Sequence, residues 1–324
     1  MANFCEGLPQ NVQRIAAKGN LTSPREIILT PNERILSFGA SADDVRILKA
    51  AAAKFIEQNF VTAGESLLPK YASKWSRISF GCPALDKCSR GGIVTRGITE
   101  ICGESGAGKT QILLHLSLTV QLSPKNGGLG RGTAFICTED AFPSKRLYQI
   151  AEEFTKRYPE ENINYLSNIY IEHVIESDDL LKCVNQRLLK LMETSTIGLI
   201  IIDSVAAVFR INPNIIERAK EMRKLANSLL LYGDKYNCGV VCVNQVTTVN
   251  DANRNVPCLG LAWAHLGRTR IKISKIPKQI SVDKHLISLR RFEIMYSPDS
   301  PNEFTEFLIT SKGICSAEEA LSKN

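Results

Sequence analysis

The sequence predicts an α/β protein with a mostly parallel central sheet, C-terminal β-hairpins and a small all-α domain in front. Residues 1–58 carry helix-start signals and no strand-like run. From residue 77 onward, short apolar runs alternate with helical stretches, which is typical of a parallel sheet covered on both faces. Residues 269–316 are rich in strand-forming side chains, which favours antiparallel hairpins that extend the sheet.

The helical domain is predicted from three capping boxes, in which a hydroxyl residue caps free N–H groups and an acid follows three residues later. The pairs are Ser23 with Glu26, Thr30 with Glu33, and Ser41 with Asp44. Pro24 and Pro31 fall at expected first helical positions, where a missing N–H costs nothing. A longer helix is predicted over residues 42–58, because its apolar residues share one face.

Residues 59–76 are predicted to be a linker, since Gly64 and Pro69 interrupt the helical pattern. The linker contains Phe60 and Ala63 in a Phe-x-x-Ala pattern. An exposed Phe and a small Ala on an extended segment can fill two pockets and pair with a partner's sheet edge. The alternative is that Phe60 packs on its own helical domain.

The core is predicted over residues 77–316, followed by a tail over residues 317–324. Its strand-like apolar runs are residues 97–102, 133–137, 169–174, 198–202 and 239–243. Helical stretches separate these runs, and hairpin strands follow from about residue 269. We find no internal repeat and no low-complexity segment.

Bulk composition excludes several classes of protein. The ten cysteines show no C-x-x-C spacing, which favours reduced thiols in an intracellular protein over a zinc site or a disulfide framework. No apolar run is long enough to span a bilayer, and the first residues do not resemble a signal peptide. The net charge of +7 is compatible with a polyanionic partner, although charge alone does not establish one.

Residues 103–110 read GESGAGKT and match the phosphate-binding pattern G-x-x-x-x-G-K-[ST] between a predicted strand and a helix. Glycines let backbone N–H groups turn toward phosphate oxygens, and the helix N-terminus adds partial positive charge. Lys109 would reach the β- and γ-phosphates, and the Thr110 hydroxyl would ligate Mg²⁺. No NKxD guanine motif occurs, so P-loop classes that bind guanine nucleotides fit less well. The predicted loop residues are Gly103, Glu104, Ser105, Gly106, Ala107, Gly108, Lys109 and Thr110.

Two acids follow predicted strands at the sheet edge where the loop lies. Asp203 is predicted to hold Mg²⁺ with its water ligands, and the alternative is that it caps the next helix. Glu139 is predicted to orient and polarise the water that attacks the γ-phosphate, while a salt bridge or a solvated strand end remain alternatives. Its neighbour Asp140 is expected to point elsewhere.

Gln245 is predicted to end another apolar strand, CGVVCVNQ. A neutral amide at that place can hydrogen-bond the γ-phosphate and respond to its loss. The sequence therefore predicts a nucleotide sensor that moves the following loop. A structural amide that caps a loop is the alternative.

Several stretches resemble the RecA-type recombinases of the eukaryotic and archaeal branch, over about residues 10–316. They are GESGAGKT, CTEDAFPSKRL, LIIIDSVAAVFR, VNQVTT and LGLAWAHLGRTRI. The phrase TEDAFP is similar to that of a eukaryotic recombinase paralogue, whereas strand-exchange recombinases carry Thr-Glu-Gly there. The resemblance implies a RecA-type P-loop ATPase core and a paralogue that assists homologous recombination.

The resemblance also implies roles for single residues. It implies that Glu139 activates the attacking water and that Arg146 stacks on the adenine. It also implies that Gln245 is the sensor that opens the second DNA loop. His265 falls where filament-forming recombinases keep a histidine near a neighbour's γ-phosphate, although a lone histidine in a helical stretch also suits a structural role. Tyr296 stands where those recombinases place an aspartate in a segment that caps the neighbour's ATP.

The implied partners are another recombinase paralogue and single-stranded or branched DNA. Phe60 and Ala63 resemble the polymerisation motif of the family. Two surface loops, residues 211–220 and 247–260, are expected to contact DNA, and their candidate phosphate contacts are Arg210, Arg218 and Arg254. Both loops differ from those of strand-exchange recombinases, and the apolar Ile215 and Ile216 equally suit a protein contact.

The predicted C-terminal hairpins are strongly basic. They would form a surface that approaches duplex DNA, or solvated faces of edge strands that block aggregation. The cations are Arg268, Arg270, Lys272, Lys275, Lys278, Lys284, Arg290 and Arg291.

The sequence and the resemblance thus predict an ATP-binding accessory of homologous recombination with weak DNA-dependent ATPase activity, and the resemblance implies that it resides in the nucleus. One alternative is an autonomous DNA-dependent ATPase that catalyses strand exchange as a homo-filament. Another is a structural adaptor in which ATP is a folding ligand.

Overall fold

The computed structural model describes most of the chain. The described residues are 7–56, 62–65, 68, 75–211, 213–249, 254–282 and 285–321. The chain divides into two compact units, Met1–Lys74 and Trp75–Asn324. Within the described ranges, no helix is long and apolar enough to cross a membrane.

The described part of the N-terminal unit contains four helices around an apolar core of its own. They are α1 (Gln10–Lys18), α2 (Pro24–Leu29), α3 (Asn32–Ser37) and α4 (Ala42–Ile56). Val12, Ile27, Ile35 and Leu48 are fully buried in this core. The all-α character predicted for this unit is confirmed.

The predicted cap of α4 is confirmed. Ser41 Oγ accepts the Asp44 backbone N–H at 3.1 Å, and the Asp44 carboxylate accepts the Ser41 N–H at 2.9 Å. Ser23 also caps α2 as predicted, with Pro24 in the first turn. Glu26, however, reaches the backbone N–H of Thr22.

The predicted capping box at Thr30 is wrong. The Thr30 hydroxyl donates to the carbonyl of Glu26 at 2.7 Å, so it finishes α2 and does not begin α3. Helix α3 follows Pro31, which is the cap residue and not the first helical residue, and no side chain caps this helix.

Little of the predicted linker is described. Thr62 and Glu65 form a capping box there, in which each side chain accepts the other's backbone N–H. Ala63 lies within this short turn and is exposed. Phe60 lies outside the described residues.

The C-terminal unit is built on a ten-stranded sheet, as counted over the described residues. The strands of the unit are β1 (Arg77–Ile78), β2 (Ile93–Val94), β3 (Ile98–Gly103), β4 (Gly132–Cys137), β5 (Ile169–His173), β6 (Ile197–Asp203), β7 (Gly239–Val249), β8 (Arg254–Pro257), β9 (Thr269–Val282), β10 (His285–Tyr296), β11 (Phe304–Thr310) and β12 (Gly313–Ser316). The order is β12-β11-β10-β9-β3-β7-β6-β4-β5, with β8 beside β7 and with β1 and β2 as a separate pair.

The strand directions confirm the predicted fold class. Strands β5, β4, β6, β7, β3 and β9 are parallel to their neighbours in this part of the sheet, while β9 to β12 and the β7–β8 pair are antiparallel. The predicted hairpins therefore extend the parallel sheet on one side. The small β1–β2 pair and strand β8 were not predicted.

Helices cover both faces of the sheet. They are α5 (Pro83–Cys88), α6 (Lys109–Thr119), α7 (Ser144–Arg157), α8 (Ser177–Lys182), α9 (Leu189–Thr194), α10 (Val205–Arg210), α11 (Ile215–Tyr236), α12 (Gly260–Ala264) and α13 (Ala317–Leu321). Residues Cys183–Leu188 form a π-helical turn between α8 and α9. Along β6, Ile201 joins the apolar layer that contains α6, while Ile200 and Ile202 join the layer that contains α11.

Two predictions about loops are wrong. Gln245 does not end its strand, since β7 continues to Val249 and pairs with β8, which occupies part of the second predicted DNA loop. The first predicted DNA loop is largely the start of α11, which Asn214 caps. The predicted tail contains α13, and residues 322–324 lie outside the described residues.

Candidate nucleotide-binding site

The glycine loop between β3 and α6 leaves a space that side chains at its glycine positions would occupy. Gly106 has φ 69° and Gly108 has φ 107°, which are left-handed conformations that favour glycine. A Cβ atom at Gly108 would lie 2.5 Å from Cδ1 of Ile309 on β11. Glycine at this position therefore provides both the turn and the close approach of the hairpin.

Lys109 opens α6, and its Nζ lies against the loop. It donates to the carbonyls of Gly103 at 2.8 Å and Glu104 at 2.9 Å. Burial lowers the pKa of Lys109, while the nearby carboxylates of Asp203 and Glu139 raise it. Since neutral carbonyls hold the ammonium group, it can exchange them for the stronger bonds of an anionic ligand.

Thr110 and Asp203 provide paired oxygen atoms beside Lys109. The Thr110 hydroxyl donates to Oδ2 of Asp203 at 2.9 Å. Burial raises the pKa of Asp203, while the hydrogen bond from Thr110 and the charge of Lys109 lower it. Hydroxyl and carboxylate oxygens are ligands that Mg²⁺ accepts, so the donor set fits this ion. Ser204, and not Asp203, caps α10, so the alternative assignment of Asp203 as a cap is wrong.

Glu139 is held by neutral groups just beyond β4. Gln245 on β7 donates its side-chain N–H to Oε1 of Glu139, and the Ser204 hydroxyl donates to the same atom at 3.4 Å. Arg210 at the end of α10 donates to Oε1 of Gln245 at 3.1 Å. Glu139 forms no ion pair within the described ranges, and these contacts do not favour a merely solvated strand end.

These groups surround one cavity of about 620 Å³. Its lining comprises Ser105, Gly106, Gly108, Lys109, Thr110, Gln111, Glu139, Asp140, Arg146, Asp203, Ser204, Val243, Gln245, Arg290, Ile309, Thr310 and Ser311. Asp140 lines the cavity too, against expectation. Of the predicted loop, Gly103, Glu104 and Ala107 are not part of this lining, and Ala107 is fully buried.

Arg146 on α7 is fixed at the rim of the cavity. Its guanidinium donates to Gln111 at 2.8 Å and to the carbonyls of Thr310 at 2.6 Å and Ser311 at 2.8 Å. Burial lowers the pKa of Arg146. The hydrogen bonds hold its planar group in one orientation, which a stacked base requires.

Some lining residues were not predicted to be part of the site. Gln111, Ser204, Thr310 and Ser311 had no motif to mark them. Arg290 was grouped with the basic hairpins and assigned to DNA or solvent. The alternation of β10 places Arg290 on the same face as the buried Phe292 and Ile294, which indicates that Arg290 points toward the core side of the sheet. Its position beside the glycine loop also depends on the strand order, which the sequence alone does not give.

The predicted DNA contacts belong to helices and a strand, not to loops. Arg210 ends α10, Arg218 is half-buried on α11, and Arg254 begins β8. His265 follows α12, is exposed, and is not among the cavity-lining residues.

Tyr296, at the end of β10, belongs to a network of side chains that links α12, β9, β3 and β7. Its hydroxyl donates to the carbonyl of Ala264 at 2.9 Å, and the Arg270 guanidinium lies 5.1 Å from its ring centre. Arg270 donates to the fully buried Glu100 at 2.6 Å, which also accepts the side-chain amide of Asn244 at 2.7 Å. Tyr296 thus has a structural role in its own chain.

Comparison with protein families gives one match over most of the chain. The family model described as Rad51 matches residues 72–317. The chain belongs to the Rad51 family. This confirms the resemblance to RecA-type recombinases that the motifs indicate, and the matched segment contains the glycine loop, both strand-end acids and the C-terminal hairpins.

Individual Rad51-family relatives cover most of the chain as well. It is similar to the DNA repair protein XRCC3 of Bos taurus, with 33% identity over 290 residues, which are 83% of this chain and 84% of the relative. The DNA repair protein XRCC3 of Mus musculus is 32% identical over 92% of this chain and 93% of its own length. The DNA repair protein rhp57 of Schizosaccharomyces pombe is 30% identical over 76% of this chain and 80% of its own length.

Proposed function

We propose that this Rad51-family chain is an ATP-binding recombinase paralogue that assists homologous recombination repair of DNA double-strand breaks in the nucleus. The observation that carries the proposal is the convergence of Lys109, Thr110, Glu139 and Asp203 around one glycine-lined cavity. Relatives named DNA repair proteins support the biological role.

The chain offers binding groups for the triphosphate, the adenine and the Mg²⁺ ion of the nucleotide. Loop N–H groups and Lys109 would bind the triphosphate, and Arg146 would stack on the adenine. Thr110 and Asp203 would hold Mg²⁺ with its water ligands. When bound, Mg²⁺ neutralises negative charge on the phosphate oxygens.

Glu139 would orient the attacking water and accept its proton. The hydrogen bonds that it receives from Gln245 and Ser204 both end on Oε1, so Oε2 would be the oxygen that accepts a hydrogen bond from the water. Gln245 holds Glu139 and is held in turn by Arg210, so it would report nucleotide state toward the DNA-binding side. Arg210, Arg218 and Arg254 would contact the phosphates of single-stranded or branched DNA.

A comparison of Glu139→Gln with Asp140→Asn tests this function. Both acids line the cavity, so Asp140→Asn is a matched control for loss of charge. ATP binding is measured first, and then ATP turnover with and without single-stranded DNA. We expect all three proteins to bind ATP and only Glu139→Gln to lose turnover, by about a hundredfold or more.

Two results would change the assignment. Turnover by Glu139→Gln equal to wild type would remove Glu139 from the reaction. If all proteins bind ATP and none turns it over, with or without DNA, ATP acts as a clamp.

A second candidate, a structural adaptor with ATP as a folding ligand, is favoured by one observation. The side chain of Gln245 hydrogen-bonds Glu139, so one oxygen of the proposed catalytic acid is occupied by a protein group. The turnover experiment decides between the two. Autonomous strand exchange receives less support, because α11 occupies much of the first predicted DNA loop.

A further inference from the structure

The hairpin of β9 and β10 carries apolar side chains along α6 and cationic side chains beside the glycine loop. Alternate residues of β9 and β10 face α6 and belong to the same apolar layer. These are Ile271 and Ile273 on β9 and Phe292 and Ile294 on β10. The next position of that face is Lys275 on β9 and Arg290 on β10, and the two are direct cross-strand partners. The inward-facing row is thus apolar along α6 and cationic beside the loop.

Both cations approach loop glycines. A Cβ atom at Gly106 would lie 3.1 Å from Nζ of Lys275, and one at Gly108 would lie 3.3 Å from Nε of Arg290. Arg290 lines the cavity, whereas Lys275 lies outside its lining. A hairpin cation therefore lines the cavity from the β9–β10 side of β3, while Glu139 and Asp203 belong to the β4 and β6 side in the strand order.

Arg290 lacks a counter-ion within the described part of the chain. Its Nη1 donates to the carbonyl of Ser288 at 3.0 Å, while its buried Nε–H has no acceptor among the described residues. The nearby acid, Glu104, accepts the backbone N–H of Lys275 at 3.2 Å. Burial also lowers the pKa of Arg290.

Such an arrangement is unfavourable without a ligand. Like charges directly opposite each other on paired strands repel, and a half-buried guanidinium with an unpaired donor loses solvation without compensation. An anion between the hairpin and the loop would satisfy the Nε–H and screen the repulsion. The adjacent pair of the same row, Ile273 on β9 and Phe292 on β10, is neutral and apolar, so the strand pattern itself does not require cations there.

We propose that Arg290 binds a phosphate oxygen of the nucleotide from the hairpin side of the glycine loop, with Lys275 adding positive charge beside it. The proposal rests on the ATP binding proposed above. It assigns Arg290 to the nucleotide and not to DNA or solvent.

The test is nucleotide affinity of the full chain, measured by titration calorimetry with Arg290→Gln, Arg290→Lys and Arg291→Gln. Arg291 is the matched control because it is adjacent on β10, also has a buried Nε–H without an acceptor among the described residues, and lies over Phe304 and outside the cavity lining. ATP, ADP and adenosine are compared for each protein. Thermal melting confirms that every variant is folded.

We expect Arg290→Gln to weaken ATP binding by about ten- to a hundredfold, the usual range for a lost charge-assisted hydrogen bond. The loss should be smaller for ADP and absent for adenosine, Arg290→Lys should recover part of the affinity, and Arg291→Gln should bind like wild type. Equal affinity of Arg290→Gln and wild type for ATP would overturn the proposal, as would equal losses for ATP and adenosine. ATP binding that Lys109→Ala abolishes and Arg290→Gln leaves intact would reject only the Arg290 assignment. Absence of ATP binding by wild type would reject the proposed function as well.

Discussion

At the scale of single residues, the proposed catalytic acid and the proposed sensor are joined. Gln245 donates to Glu139, and Arg210 holds the other end of the Gln245 amide. The three side chains come from the segment after β4, from β7 and from α10. A ligand that attracts Arg210, such as a DNA phosphate, would therefore change the restraint on Glu139 through one intervening amide.

Substitution of Gln245 by Ala should separate these groups. We expect Gln245→Ala to bind ATP and DNA as wild type does, while its ATP turnover becomes the same with and without single-stranded DNA. Turnover and DNA binding are measured on the same preparations. Arg210→Gln serves as the comparison, because it should lose DNA affinity as well as stimulation. Normal stimulation in Gln245→Ala would show that the amide is only structural.

At the scale of elements, α6 is fixed to the far end of the sheet through His115. This histidine is fully buried, and its Nε2 accepts the backbone N–H of Ile314 on β12 at 2.8 Å. A Cβ atom at Gly313 would lie 2.0 Å from the same nitrogen, so the strand can approach only with glycine there. Since the accepting nitrogen must be unprotonated, the contact requires a neutral ring.

Folding stability should therefore fall in mild acid. Burial, together with the charge of Arg157, lowers the pKa of His115 to about 3, against about 6.5 for an exposed histidine. The unfolded chain then binds the proton more readily, so stability is complete above pH 6.5 and decreases as pH falls below it. From pH 7.5 to 5.5 we expect a loss of about 1.4 kcal/mol from this group.

Urea unfolding of the core at both pH values measures this loss. In His115→Gln the part due to His115 should vanish, although the variant is less stable at neutral pH. His173→Gln is the matched control, since His173 is exposed and should leave the pH dependence unchanged. The same pH dependence in His115→Gln and wild type would refute the assignment.

At the scale of the whole molecule, the chain has two units with separate cores. The buried cluster of the N-terminal unit contains only residues between Val12 and Ala52, and the other clusters begin at Ile78, for the part of the chain described. In the sequence, the proposed partner motif falls between the residues of these clusters. A change in the motif should therefore affect assembly without affecting the nucleotide site.

Phe60→Glu should abolish association with another recombinase paralogue and leave ATP affinity unchanged. The matched control is Phe55→Glu, because Phe55 is another phenylalanine of the same unit, is 61% exposed and stands outside the Phe-x-x-Ala pattern. Co-purification of tagged chains measures association. Retained association in Phe60→Glu would exclude the motif, and loss in both variants would indicate a general effect of the new charge.

Site residues could be predicted from the sequence where neighbouring residues specify the local structure. The motif 103–110 and the apolar runs before Glu139 and Asp203 each specify a strand or turn from neighbouring residues. Reasoning failed at Thr30, where two helices compete for one hydroxyl, and at Gln245, where a partner strand extends β7 beyond the apolar run. At Thr30 the competing hydrogen bond is itself local, to the helix that ends there, whereas at Gln245 the deciding contact comes from a separate strand.

The sequence by itself determined the fold class, the phosphate loop and the acids at the strand ends, because alternation, capping and glycine conformation are short-range properties. Only the tertiary structure decided that Gln245 holds Glu139 and that Arg290 faces the loop. Those pairs are separated by 106 and more than 180 residues, and the strand order that brings them together depends on long-range pairing. Hydrophobic patterning cannot specify which strands become neighbours, since every buried strand presents a similar apolar face.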